Sequence, residues 1–150
     1  IKFKAMKNII LPIDFGESTD QLLKGALQFA KEINGNICLI HVAPSDMGFA
    51  IGDMGFQYFP EVEQIEIKDE LLRLNEIENQ IKSEGVSCEH LLKQGIAKEV
   101  ILEYAAEKNA AYIVMGSHGR SGIYDVFVGS LTKELTKNSP IPVVVIPCHQ

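Results

Sequence analysis

Apolar residues follow two patterns along the chain, and the two patterns alternate. Short runs of consecutive or alternating apolar residues are typical of buried strands, whereas apolar residues spaced three or four positions apart are typical of amphipathic helices. The runs predict five strands, over residues 8–13, 36–42, 86–92, 111–115 and 142–147. Helical spacing between successive strands predicts four helices, of which the second has its apolar face over residues 67–81.

Strands that alternate with helices predict an α/β fold with a parallel, doubly wound sheet and helices on both faces, because parallel neighbours need a right-handed crossover. Ligands of such sheets bind at the carboxyl ends of the strands, where the strand order reverses. Asp14, Val42 and Gly116 each follow or end a predicted strand. We therefore expect these three residues near a ligand site.

The boundaries of the first helix carry recognisable signals. Ser18 is a candidate N-cap, and Gln21 three residues later completes the pattern of a capping box. Gly35 is predicted to stop the helix at its C-terminus. The sequence therefore predicts a helix between these signals.

Residues 43–60 lack a clear period although they are rich in Met and aromatic side chains. A loop this long and this apolar is uncommon unless it is a lid, a binding surface or disordered. We interpret it as a loop that orders on binding.

Charge and composition exclude several classes of function. The net charge is −6, with 14 basic residues scattered among 20 acidic ones, which argues against nucleic acid or an anionic membrane as the main partner. No apolar run approaches the ~20 residues of a membrane-spanning helix, and no secretory leader is evident. Three separated cysteines favour neither a disulfide framework nor a metal site, which indicates a cytoplasmic protein.

The length suits one domain, because domains most often have 100–150 residues. Residues 1–5 precede Met6 and are interpreted as a remnant added in cloning. The predicted domain therefore covers residues 6–147.

The segment with candidate chemistry begins with Gly116 and Gly119 and ends with Gly129 and Ser130 at the start of the last helix. Glycines let main-chain N–H groups approach an anion, and a helix N-terminus attracts negative charge. The expected ligand is a phosphate chain, to which Arg120 adds a cation. Ser130 either caps its helix or donates to a phosphate oxygen. Taken singly these glycines are ordinary turn residues, and the set matches neither a Walker loop nor a dinucleotide fingerprint.

This pattern, Gly-x2-Gly-x9-Gly-Ser over residues 116–130, resembles the ATP-binding branch of the universal stress protein family, and the resemblance runs from Met6 to about Pro147. It implies a five-stranded sheet in the order 3-2-1-4-5, a homodimer, and an adenine nucleotide as ligand, with any Mg²⁺ bound through the phosphates. Leu131 departs from the Val often found there. The residues that the resemblance places around the nucleotide are Pro12, Asp14, Val42, Met115, Gly116, His118, Gly119, Arg120, Gly129, Ser130 and Leu131.

Single residues in this set have other interpretations. Asp14 is expected to accept hydrogen bonds from a ribose or adenine, or else to cap the next helix or solvate a loop. His118 and His41 have no second ligand at metal-site spacing, so they are interpreted as structural or contacting residues. Ser117 lacks the Gly-x-Ser-x-Gly context of a hydrolase nucleophile.

The function predicted first is a nucleotide-dependent regulatory or stress-response protein, with no catalytic residue assigned and slow ATP hydrolysis at most. A flavodoxin-like or receiver-like domain is the second hypothesis, because the same alternation of elements permits it. The third is an adaptor that binds a protein through the 43–60 loop. The strand over residues 142–147 is expected to end the sheet, and a homodimer is predicted through that edge.

Overall fold

The computed structural model describes residues 5–117 and 129–149. Seven strands and four helices occur along these residues. In chain order they are β1 (Lys7–Pro12), α1 (Thr19–Ile33), β2 (Gly35–Ala43), β3 (Phe49–Gly52), β4 (Gly55–Tyr58), α2 (Pro60–Ser83), β5 (Cys88–Gln94), α3 (Ala97–Glu107), β6 (Tyr112–Gly116), α4 (Ser130–Asn138) and β7 (Val143–Ile146).

Five of the strands form one parallel sheet in the order β5-β2-β1-β6-β7. In β1, Ile10 pairs with Cys38 on one side and with Ile113 on the other. With the separate hairpin of β3 and β4 left aside, this is the predicted order 3-2-1-4-5. The doubly wound α/β prediction is therefore confirmed, and the last strand is two residues shorter than expected.

The sheet separates two hydrophobic layers, because successive residues of a strand point to opposite faces. Ile9 and Leu11 of β1 pack with α1 and α2, whereas Ile10 packs with α3 and α4. All three side chains are fully buried. Each contributes about 1.5–3 kcal/mol through the burial of apolar surface, so both faces of β1 must be apolar. This explains why β1 is a continuous apolar run.

α1 lies between the predicted boundary residues Ser18 and Gly35, but the predicted capping interactions are wrong. Ser18 occupies the N-cap position without a side-chain capping bond, and Gln21 instead exchanges hydrogen bonds with the main chain of His149. At the other end Asn34, with φ of 55°, provides the left-handed C-cap, and Gly35 opens β2. A Cβ on Gly35 would lie 2.5 Å from Cδ1 of Ile9, so a larger residue there would force the fully buried Ile9 side chain to shift.

Residues 43–60 are not the irregular loop that the sequence predicts, because β3 and β4 form an antiparallel hairpin within them. Gly55, with φ of 95°, provides the positive dihedral that the tight turn needs. No helix within the described parts of the chain is both long and apolar enough to cross a lipid bilayer.

Candidate functional site

A cavity of about 240 Å³ opens at the carboxyl ends of β1, β2 and β6. The strand order reverses here, because β2 and β5 lie on one side of β1 and β6 and β7 lie on the other. Open parallel sheets bind ligands at such switch points. Its described lining residues are Pro12, Ile13, Asp14, Leu22, His41, Val42, Ala97, Ile101, Met115, Gly116, Gly129, Ser130, Leu131 and Thr132.

Eight of the eleven residues predicted to surround a nucleotide line this one cavity, although they come from four separate segments of the chain. The other three, His118, Gly119 and Arg120, lie outside the described residues. The eight are Pro12, Asp14, Val42, Met115, Gly116, Gly129, Ser130 and Leu131.

Asp14 lines the cavity and also shapes the turn after β1. Its Oδ1 accepts a hydrogen bond from the main-chain N–H of Gly16 at 2.9 Å, and Phe15 between them has φ of 59°. The N-cap position of α1 belongs to Ser18. The alternative that Asp14 caps the next helix is therefore wrong, since its carboxylate stabilises the turn that precedes the cap.

Main-chain hydrogen bonds hold the end of β6 close to the start of α4. The N–H of Gly129 donates to the carbonyl oxygen of Ser117 at 2.9 Å. The N–H of Ser117 in turn donates to the carbonyl oxygen of Ile146 at 2.9 Å. The buried Thr132 hydroxyl donates to the carbonyl oxygen of Gly116 at 3.0 Å. These bonds fix both ends of the glycine-containing segment at the cavity.

The N-terminus of α4 faces this region, with Gly129 as its N-cap residue. Ser130 is consequently the first helical residue, and the hypothesis that it caps the helix is wrong. The first intrahelical bond runs from the N–H of Lys133 to the carbonyl oxygen of Gly129 at 2.9 Å. The N–H groups of Ser130, Leu131 and Thr132 precede it and have no acceptor within the helix, which suits them to bind an anion.

His41, which is buried, contacts Glu70, which is half-buried, and the sequence interpretation only partly anticipated this pair. Nδ1 of His41 donates to the carbonyl oxygen of Ile13 at 2.6 Å, and Nε2 lies 3.0 Å from Oε2 of Glu70. The Phe15 ring packs on the imidazole with centroids 4.5 Å apart. His41 is thus a structural residue in the cavity wall that ties β2 to α2, as one of its two interpretations held.

Other wall residues gave no chemical signal in the sequence. Ala97 and Ile101 lie on the apolar face of α3, and Leu22 lies on that of α1. Leu22 and Ile101 are core residues, and Ala97 is partly buried against the core. Thr132 follows the Gly-Ser pair by two residues, so the position of a hydroxyl in the first turn of α4 was the available signal.

A second polar cluster lies at the opposite, amino-terminal end of the sheet. Sγ of Cys38 lies 3.4 Å from Oε1 of Glu89, whose other oxygen accepts from Lys108 at 3.1 Å. Burial, followed by the hydrogen bond to Glu89, raises the pKa of the Cys38 thiol to about 12. Burial, followed by the charge of Glu78, raises the pKa of Cys88 to about 12. Both thiols are therefore protonated at neutral pH and unsuited to nucleophilic chemistry.

Comparison with known proteins gives a consistent result. Residues 6–147 match the universal stress protein family. The universal stress protein YxiE of Bacillus subtilis is 29% identical over 143 residues, which cover 92% of this chain and 97% of that protein. The structure of UspA from Lactobacillus plantarum has a TM-score of 0.76 at 21% identity and covers 95% of this chain and 99% of its own.

A third similar protein carries a ligand. The universal stress protein from Archaeoglobus fulgidus, solved in complex with dAMP, has a TM-score of 0.64 at 21% identity and covers 95% of this chain and 98% of its own. The family match spans nearly the whole chain and favours the first functional hypothesis over the flavodoxin-like and receiver-like alternative. The chain belongs to the universal stress protein family.

Proposed function

We propose that this protein is a homodimeric regulatory protein that binds an adenine nucleotide, with ATP as the principal ligand and little or no hydrolysis. One observation carries the proposal: eight residues predicted from a glycine pattern and a family resemblance line one cavity. The complex of the Archaeoglobus fulgidus protein with dAMP supports the choice of an adenine nucleotide.

The cavity offers different chemistry on its two sides, which fits a nucleotide. Val42, Ile101 and Met115 provide apolar surface for a base, and the first turn of α4 provides N–H groups for phosphates. Asp14 lies at the cavity edge, where its carboxylate would accept hydrogen bonds from ribose hydroxyls. His118, Gly119 and Arg120 would complete the phosphate site, a role that rests on the sequence pattern.

The proposal of slow or absent hydrolysis rests on the lining residues. Within the described wall of the cavity Asp14 is the sole carboxylate, and no lysine or arginine accompanies it. Phosphoryl transfer generally requires cations that neutralise developing charge and a group that orients the attacking water. Any Mg²⁺ would therefore be held through the phosphates. The protein would respond to the binding of ATP rather than to its hydrolysis.

Thermal stability provides the first test of ligand identity. A ligand that binds only the folded state stabilises it by about 2.7 kcal/mol at a hundredfold excess over its Kd. Mg-ATP is expected to raise the Tm accordingly, and GTP is expected to raise it less because the base contacts select adenine. Differential scanning fluorimetry with matched concentrations of ATP, GTP and inorganic phosphate measures this. Equal shifts with all three would contradict adenine recognition.

The homodimer is proposed to form through β7, which is an edge strand of the sheet. An apolar edge strand presents unpaired main-chain groups to a second chain. Val144 packs partly against the core, so Val144→Lys would disturb both folding and assembly. Val145 belongs to neither core cluster, which makes Val145→Lys the cleaner variant.

Light scattering is expected to show a dimer for the parent protein and a folded monomer for Val145→Lys. The reason is that a lysine buried in the dimer interface opposes the pairing of the two edge strands. Circular dichroism checks that the variant remains folded. A parent protein that stays monomeric at high micromolar concentration would exclude the proposed dimer.

A further inference from the structure

The β3–β4 hairpin carries all its large apolar side chains on one face. Phe49 pairs with Tyr58 and Ile51 pairs with Phe56, and the pairs alternate with Ala50–Gln57. Residues directly opposite one another on two paired strands lie on the same face, and so do alternate residues along each strand. These four residues are called here the hairpin face. The exposed fractions of their side chains are 43% for Phe49, 45% for Tyr58, 85% for Ile51 and 68% for Phe56. Met54 at the turn is 86% exposed.

The hairpin face is held in shape before any partner binds. The rings of Phe49 and Phe56 are stacked with centroids 5.7 Å apart, and Phe49 and Tyr58 lie 5.0 Å apart. The N–H of Phe59 donates to the carbonyl oxygen of Gly48 at 2.9 Å, which closes the base of the hairpin. A two-stranded hairpin is marginal in water on its own, and contiguous exposed apolar surface marks interaction sites.

The surroundings of the hairpin face are acidic. Residues 46–67, which include the hairpin and the first two turns of α2, contain five carboxylates and no Lys, Arg or His. Glu63 and Tyr58 lie side by side, since a Cβ on Gly48 would lie 2.7 Å from Cβ of Glu63 and 3.1 Å from Cε2 of Tyr58. Burial and the carboxylates of Glu63 and Glu61 together raise the pKa of the Tyr58 hydroxyl. Val62 and Ile65 of α2 add further exposed apolar surface, at 38% and 69%.

We propose that the hairpin face binds a cationic amphipathic segment of another protein. Exposed apolar groups within an acidic rim complement a helix that has one apolar face and flanking lysines or arginines. A second copy of this face would bring five more carboxylates against the first five, and an anionic membrane would be repelled for the same reason. Charge therefore selects a basic protein segment over both of these occupants. The site is distinct from the nucleotide cavity.

A synthetic probe tests the proposal directly. The probe is a fluorescein-labelled peptide of 18 residues that contains only leucine and lysine, with leucines at helical spacing. Its controls are a peptide with glutamate in place of every lysine and a shuffled leucine–lysine peptide with no apolar face. Fluorescence anisotropy at physiological salt is expected to show binding of the amphipathic basic peptide alone, and its affinity is expected to fall as salt is raised.

Variants locate the binding surface. The double substitution Ile51→Ser with Met54→Ser replaces two side chains that are 85% and 86% exposed, so the fold should persist in a circular dichroism melt. It is expected to weaken peptide binding at least tenfold. Met6→Ser, an equivalent change at a residue that is 53% exposed and precedes β1, is the matched control and should bind like the parent protein.

Several outcomes would overturn the proposal. They are equal binding of the acidic or shuffled peptide, equal affinity of the double variant and the parent protein, and absence of binding. Association that the double variant abolishes in sedimentation would assign the face to a second copy instead. Binding to phosphatidylglycerol vesicles that the same variant abolishes would assign it to a membrane surface.

Discussion

Replacing Gly129 with valine is expected to abolish ATP binding while leaving the fold intact. Gly129 has φ of −54° and ψ of 154°, a conformation that any L-residue adopts, so the substitution introduces no backbone strain. The residue lines the cavity and directly precedes the N–H groups proposed to bind phosphate. A branched side chain there competes with the phosphates for space.

Calorimetry with ATP is expected to show at least a hundredfold loss of affinity for Gly129→Val, with the Tm of the free protein close to that of the parent. Retention of parental affinity would show that phosphates do not bind at the start of α4. A large fall in the Tm would indicate that the side chain disturbs the bond from Gly129 to Ser117 instead.

Ser130→Ala provides a graded companion to that variant. Loss of one hydroxyl bond to a charged oxygen costs about 1.5–3 kcal/mol, which is about ten- to over a hundredfold in affinity. Because Gly129 rather than Ser130 is the N-cap residue, the Tm of the free protein should not fall. Ser83→Ala, which removes an exposed hydroxyl at the end of α2, is the matched control and should change neither quantity.

Alkaline solution is expected to destabilise the fold steeply above pH 9. The pKa values of Cys38 and Cys88 are raised in the folded state to about 12 from the ordinary value of 9.0. Below pH 9 both thiols are protonated whether the chain is folded or not, so their contribution to stability is complete. Between pH 9 and 12 the unfolded chain releases protons that the folded chain retains, and stability falls by up to about 1.4 kcal/mol per pH unit for each thiol.

Urea unfolding at a series of pH values measures this slope. Burial also raises the pKa of Tyr104, so part of the decline should persist without the thiols. The double substitution Cys38→Ala with Cys88→Ala is expected to lower stability at pH 7, because it leaves cavities in the core, and to flatten the decline above pH 9. A slope unchanged by the double substitution would show that the two thiols titrate normally.

The fold could be predicted because β1 and β2 are buried on both faces, and a continuous apolar run records that condition locally. The extent of α1 was also predictable, because the helix runs from its N-cap residue Ser18 to Ile33, just before Gly35. The role of Gln21 was not, because it binds the main chain of His149, 128 residues away. The hairpin was missed although its side chains alternate from Phe49 to Tyr58. Its apolar face is exposed, so the alternation did not separate a buried face from a polar one.

The candidate site was predictable to the extent that glycines and strand ends record it. Gly116, Gly129 and Asp14 are identified by residue type and by position after a strand or before a helix. The contact between His41 and Glu70 depends on how α2 lies against β2, which no local pattern specifies. The choice of Gly129 rather than Ser130 as N-cap depends on where the chain leaves β6 and enters α4.

The bond from Gly129 to Ser117, with that from Thr132 to Gly116, has an evolutionary consequence. These two bonds join the ends of the segment between β6 and α4, so the length of the segment does not change the positions of its ends. Doubling the length of a closed loop costs only about 0.6 kcal/mol in closure entropy. Insertions or deletions in this segment are therefore expected to leave the sheet intact.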